Sequence, residues 1–166
     1  MTRRSTTLTG AAGEHYVMYR LLKLGHLAAL TPTGAKGVDI LISDGNGQHL
    51  AATQVKTSGE PVTVGWRMDA KHEEMSGDRL FYCFIDPTGS SAAPSCWIVP
   101  SAVVAKHVYS THRAWLSGTP MRGSTRRDGP GRKMHLVCSN PPLDDYPNGW
   151  MDQYKEAWDL LRQVAP

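Results

Sequence analysis

The chain has 166 residues, a formal net charge of +3, 40% hydrophobic and 20% charged residues, which is the make-up of an ordinary globular protein. It is long enough to bury a core without disulfide or metal staples. No apolar run approaches the roughly 18 residues of a membrane-spanning helix, so an integral helical membrane protein is excluded.

In chain order, MTRRSTTLTG carries two arginines but no apolar segment before Glu14, so no secretory signal is expected and a cytoplasmic location is. Thr7 or Thr9 is a candidate cap for a helix starting near Gly10. Val17, Leu21 and Leu24 recur at helical spacing, and Gly25 suits the C-terminal cap. Glu14 lies on the same stripe, where a carboxylate points along the apolar face. HLAAL (26–30) is expected as a strand and TPTGAKG (31–37) as a loop. VDILIS (38–43), DGNG (44–47) and HLAATQVKT (49–57) read as strand, tight turn and return strand.

RMDAKHEEMSGD (67–78) is expected to be a short helix. RLFYCFID (79–86) and CWIVP (96–100) are strands. SAVVAKHVYSTHRAWL (101–116) is a helix with Ser101 as its candidate cap. MRGSTRRDGPGRK (121–133) holds five of the eighteen basic residues and one acid among glycines and a proline. It is either a solvated surface loop or a phosphate-neutralising one. KMHLVCS (133–139) is a candidate strand, and NGWMDQYKEAWDLLRQVA (148–165) has the apolar stripe of an amphipathic helix. No repeat or domain-sized linker interrupts residues 1–166, so a single domain is expected: a core of about 10–116 with a C-terminal helical extension over about 147–165. Its fold class is α/β, a mixed β-sheet flanked by helices.

Cys83, Cys96 and Cys138 are far apart among apolar residues and read as reduced core thiols, in neither zinc nor disulfide spacing. His72, His107 and His112 form no metal-ligand set by spacing and are expected on solvent-exposed helix faces. The polar residues inside the hairpin are more informative. Gln54 and Lys56, two apart, share one face of a strand. Asp39 lies on the neighbouring strand, and Glu14 on a helix packed against the sheet can approach it. Acid, amide and amine together suit a divalent ion and a phosphate. Asp39 is then the anchoring ligand, completed by the Gln54 oxygen and the Val55 backbone carbonyl, with Glu14 as a further ligand. Each residue alone also has a structural reading. Asp39 can cap a loop or pair with a lysine, Gln54 can bond the backbone, Lys56 can snorkel and Glu14 can favour the helix dipole. Trp66 either packs or stacks on a base, and Arg67 and Lys71 stand near enough in sequence to touch phosphates.

The pattern Glu14, then Gly37-Val38-Asp39-Ile40-Leu41, then Gln54-Val55-Lys56 resembles the PD-(D/E)xK nuclease superfamily, including its restriction-type and resolvase-like members, over roughly residues 10–100. The resemblance implies a restriction-endonuclease-like αβββαβ core, a Mg²⁺ or Mn²⁺ cofactor and a catalytic set of Glu14, Asp39, Gln54 and Lys56. Gln54 replaces the commoner glutamate, as in Mrr-like nucleases, and Val38 stands where a proline is usual. The expected activity is metal-dependent DNA endonuclease cleavage. Arg67, Lys71, Arg122, Arg126, Arg127, Arg132 and Lys133 are expected on DNA, and a homodimer is the simplest way to cut two strands. The Trp-rich helices offer it an interface. The alternatives are a catalytically inactive DNA-binding or protein-interaction module on the same fold, and an unrelated binding protein with a chance motif.

Overall fold

A computed structural model describes residues 6–32, 34–47, 49–59, 62–88, 93–119, 125–138 and 143–162. Helix α1 runs Thr6–Lys23, one turn earlier than its sequence signals, so Thr7 and Thr9 lie inside it rather than capping it. It ends as expected at Gly25, whose φ of +85° needs glycine and whose N–H bonds the Leu22 carbonyl at 3.0 Å. Strands β1 (Leu27–Leu30), β2 (Ile40–Ser43) and β3 (His49–Thr57) form an antiparallel meander. The DGNG turn closes as the sequence reads, with the Gly47 N–H on the Asp44 carbonyl at 3.1 Å.

Strand β3 then pairs parallel with β5 (Leu80–Asp86), which pairs antiparallel with β6 (Ser95–Pro100). The five-stranded order is β1-β2-β3-β5-β6, a mixed sheet of the expected class. Helix α2 (Ser101–Ser117) follows directly. Ser101 does not cap it; its hydroxyl accepts from the Gly77 N–H and donates to the Gly77 carbonyl.

Alternation along the strands divides two apolar layers. Ile40, Ile42, Ala51, Phe81, Cys83, Ile85, Cys96 and Ile98 face Val17 and Leu21 of α1. Tyr82, Phe84, Trp97 and Val99 face the opposite way, toward Val104 and Val108 of α2. Strand β4 (Gly65–Asp69) and β7 (Gly131–His135) make a separate antiparallel pair over that aromatic layer. This corrects the short helix expected over 67–78, where only Ala70–Glu73 forms a 3₁₀ turn. Trp66 and Met68 alternate inward with period two, and their burial selects a strand. Trp66 is therefore a packing residue: it is buried, lies 5.0 Å from the Phe84 ring and donates from Nε1 to the Ile85 carbonyl.

The amphipathic helix expected at the C-terminal end is also corrected. Between 143 and 162 the chain makes two 3₁₀ turns, Asp152–Tyr154 and Trp158–Leu161, and no α-helix. Contacts with other elements override the helical pattern. Glu156 takes a positive φ of 54°, its N–H bonds the Cys96 carbonyl at 2.8 Å, and its carboxylate accepts from Cys96 N–H, Arg20 and the Trp158 indole. Trp150 and Trp158 are consequently buried inside the two layers, so they cannot form an interface on exposed helices.

One close approach sets the height of α1 above the sheet. A Cβ on Gly13 would stand 1.8 Å from Thr57 Oγ1, so only glycine lets the helix reach the end of β3. Gly13→Ala should cost about 1–3 kcal/mol by overpacking, read as a lower urea midpoint at unchanged slope. The same substitution in a Thr57→Ala background should cost clearly less. Equal costs in the two backgrounds would refute the contact as the cause.

Candidate functional site

Strand β2 reaches β3 through the Asp39 N–H, which bonds the Thr53 carbonyl at 2.9 Å. Beyond that point the ladder gives way to a side chain: Asp39 Oδ2 accepts the Val55 N–H at 2.7 Å. The Val55 carbonyl leaves β3 on the same edge as its N–H. The approach to Asp39 is fixed from behind. Thr31 Oγ1 donates to the Val38 carbonyl at 2.7 Å, and Gly37, at φ +81°, lies where a Cβ would meet Met75 at 2.5 Å. The glycine of the Gly-Val-Asp stretch thus serves chain geometry.

Asp39, Gln54 and Lys56 alternate with Ile40, Thr53 and Val55, so they share the sheet face opposite α1's apolar layer. Gln54 pairs in register with Tyr82 and is buried, and among the described residues its Oε1 has no hydrogen-bond partner. A buried amide oxygen left unpaired costs about 1–3 kcal/mol, which a donor or cation placed against it would offset. Lys56 is partly buried, and its ammonium is pulled below the usual lysine pKa, chiefly by burial; Asp39 opposes that shift and Lys71 adds to it. Glu14 stands one position past Gly13 at the rim of α1. Burial and the Asp39 carboxylate raise its pKa above the usual carboxylate value. The structure thus brings Asp39, Gln54 and Lys56 onto one face, and Glu14 on α1 lies near enough to feel the Asp39 charge.

Sequence reasoning missed Asp69 and His72 as members of the Asp39 neighbourhood, and it expected Lys71 on phosphate without linking it to Lys56. Asp69 and Lys71, at the corner after β4, both act electrostatically on Lys56. His72, expected in solvent, is fully buried; its Nδ1 bonds the Asp69 backbone and its ring lies edge-on to Tyr82 at 5.8 Å. Burial, ahead of Lys56 and Lys71, lowers its pKa below the ordinary imidazole value. Tyr82 forms the floor, its phenol pushed up by burial and by Asp39. The alternation Trp66-x-Met68 is the sequence signal that would have placed this corner.

The basic residues are divided. Arg67 is exposed on β4, opposite Lys133 of β7, and Lys71 and Arg127 are exposed. Arg126 is committed to α2: it bonds the Trp115 and Thr119 carbonyls and its guanidinium lies 5.1 Å from the Trp115 ring. Arg132 is committed as well, through Glu73, Asp128 and the Gly129 carbonyl, with its side chain 6% exposed. Arg122 lies outside the described residues. His107 is also fully buried, and His112 is mostly covered and bonds Asp128 at 2.8 Å, so neither is the exposed helix histidine expected. The three cysteines are free and buried, as read. No helix among the described residues is long and apolar enough to cross a membrane.

A mixed sheet with an acid, an amide and an amine converging on one face is the class of arrangement these elements define. No protein-family model matches the chain, nor does any curated protein. Among solved structures it is similar to a bacterial homing endonuclease, I-Ssp6803I, with a TM-score of 0.58 over 96% of this chain and 92% of that one, at 19% identity. The chain therefore has the fold of that endonuclease.

Lys56 gives a test that is independent of any ligand. Its folded pKa is depressed, so between that value and the unfolded value of 10.5 the unfolded chain binds more protons and stability rises with pH. At neutral pH the charged side chain opposes folding. Lys56→Met should be more stable than wild type near pH 7, and the gap in urea midpoint should narrow toward pH 10. A gap that stays constant or widens with pH would refute burial as the cause of the depressed Lys56 pKa.

Proposed function

We propose that the chain is a Mg²⁺- or Mn²⁺-dependent DNA endonuclease of the PD-(D/E)xK plan, in its Gln-x-Lys form. The observation that carries this reading is the buried, unpartnered Gln54 oxygen beside Asp39 and Lys56. The endonuclease activity named for the protein of the same fold supports it. The donors present fit a hard divalent ion: a carboxylate, an amide oxygen and a backbone carbonyl. Asp39 and Gln54 would hold it with the Val55 carbonyl, and Glu14 would hold it directly or through water. When bound, the ion supplies Lewis-acid stabilisation of phosphate charge and a more acidic water.

The chain's own groups do the rest. The Asp39–Val55 bond holds the carboxylate in one orientation against the strand. Lys56, with its proton loosened by burial, orients the attacking water and offsets charge on the phosphate. Lys71 adds positive charge on the same side. Arg67 and Arg127 are exposed and Lys133 is half-buried beside Arg67, so these can meet a DNA backbone, whereas Arg126 and Arg132 serve the fold. Two copies about a two-fold axis are the simplest way to address both strands.

Supercoiled and branched DNA incubated with Mg²⁺ or Mn²⁺ should be cut by wild type. Removing a group that handles the reacting proton or charge costs roughly 10²–10⁴ in rate, so Asp39→Ala and Lys56→Ala should lose cleavage by at least about 10²-fold, while Gln54→Glu should keep it. Cleavage that survives in both alanine variants overturns the site. DNA binding without cutting, by folded wild type on every substrate, returns the alternative of an inactive binding module. A sedimenting monomer that still cuts both strands of a duplex would remove the dimer.

A further inference from the structure

A second group of ligand-type side chains stands apart from the Asp39 neighbourhood. His107 comes from the buried face of α2, His135 closes β7, and Cys138 follows three residues later. One donor atom from each lies within 4.8 Å of the others. His107 Nε2 is 3.4 Å from His135 Nδ1 and 4.0 Å from Cys138 Sγ. Two imidazole nitrogens bound at about 2.0–2.1 Å to one tetrahedral ion stand roughly 3.4 Å apart, and a thiolate at about 2.3 Å stands roughly 3.6 Å from each nitrogen. The nitrogens already meet that spacing; the sulfur, 4.0 Å from His107 Nε2 and within 4.8 Å of the His135 donor, must close in by up to about 1 Å.

We propose that His107, His135 and Cys138 bind a zinc-type divalent ion that ties α2 to β7, with a fourth position open to solvent. The donor set is two imidazoles and a thiol with no carboxylate, which selects a borderline-soft ion over Mg²⁺. The His107 ring is held in place by stacking on Trp150 at 4.6 Å and by the edge contact with Tyr146 at 4.3 Å. Its tautomer follows from the contacts: Nε2 accepts the His135 backbone N–H at 3.0 Å, so Nδ1 carries the proton and the one Nε2 lone pair, aimed at that N–H at the edge of the cluster, is available to an ion that displaces it. The ion takes over that lone pair from the backbone N–H. Burial lowers both imidazoles, His107 to about 3 and His135 to about 4, so both are neutral donors at neutral pH. Burial raises the Cys138 thiol to about 11, and ion uptake releases its proton.

Access comes from a groove of about 410 Å³ between α2 and β7. His135 and Cys138 line it with Thr111, Trp115 and Lys133. Water from this groove completes the coordination. In sequence the signal is His135-x-x-Cys138 together with a histidine on the buried face of a helix, a pattern that cysteine spacing alone does not reveal.

Cobalt(II) is the probe, titrated into the reduced full chain. The expected result is one equivalent bound, with tetrahedral visible absorption and a near-ultraviolet thiolate-to-cobalt band that zinc then displaces. Cys138→Ala should lose the thiolate band while keeping the wild-type circular dichroism. Asp39→Ala should keep the band, since oxygen ligands around Asp39 give no sulfur transition. Zinc should raise the melting temperature of wild type and of Asp39→Ala but not of Cys138→Ala. A folded wild type that shows no thiolate band in excess cobalt overturns the proposal and leaves a buried histidine pair in an aromatic core. A band that persists in Cys138→Ala overturns it too.

Discussion

The bond from the Val55 N–H to Asp39 Oδ2 is the constraint on which the site depends. Strand β3 serves two partners, β2 antiparallel along its first part and β5 parallel along most of its length. β2 begins only at Ile40, so the next outward N–H of β3 has no strand to meet. A carboxylate fills that place. A hydrogen bond to a charged group contributes about 1.5–3 kcal/mol, so the acid is anchored by the fold before any ligand arrives. The same bond stops the Asp39 side chain from rotating away, and it keeps the Val55 main chain facing the carboxylate. Sheet termination and site geometry are one event.

Around that seam the protein leaves polar groups incompletely satisfied. Gln54 Oε1 and His72 Nε2 are buried without partners among the described residues, and Lys56 is charged against the cost of burial. The surrounding packing supplies what this costs. On one face an aliphatic layer under α1 holds β2, β3, β5 and β6. On the other an aromatic layer of Tyr82, Phe84, Trp66 and Trp97 fixes β4 and β7 as a hood. Each fully buried large apolar side chain contributes roughly 1.5–3 kcal/mol, so a few such residues offset the strained polar set. Local rules broken together in one place, with strong packing on both sides, mark where structure gives way to function.

The strands and the hairpin were legible because their information is local. Alternation in Val38–Ser43 and His49–Thr57 with Asp-Gly-Asn-Gly between them fixes both the pairing and the face, and the face puts Asp39, Gln54 and Lys56 together. Glu14 was legible through helical spacing, though its approach depends on Gly13, whose meaning appears only when Thr57 is seen against it. The regions misread are those decided by distant partners. Residues 67–78 are polar by composition, but Trp66 and Met68 turn inward because β7 arrives from more than sixty residues away to pair with them. The tail has a helix's stripe, yet Cys96, Arg20 and Trp158 all converge on Glu156 and hold it at positive φ. His72 and His107 look like surface residues in sequence because nothing nearby announces the aromatic rings that cover them.

Charge placement follows the same logic. The basic segment 121–133 reads as one patch, but Arg126 and Arg132 are spent on carbonyls, Glu73 and Asp128. Arg132 in particular joins β7 to the 3₁₀ turn Ala70–Glu73, which carries Lys71 beside Lys56. Its positive charge therefore acts on position instead of on phosphate: it holds the corner that delivers Lys71. A net charge of +3 is small, and attraction over distance falls off within about 10 Å at ordinary ionic strength. What matters at that range is which cations are left exposed. Arg67 and Lys133 are cross-strand neighbours on the hood, and like charges directly opposite each other destabilise a sheet. A pairing that opposes folding and stands on the outer face would be relieved by an anion that screens both charges, and under the proposed nuclease reading a phosphate backbone would be such an anion.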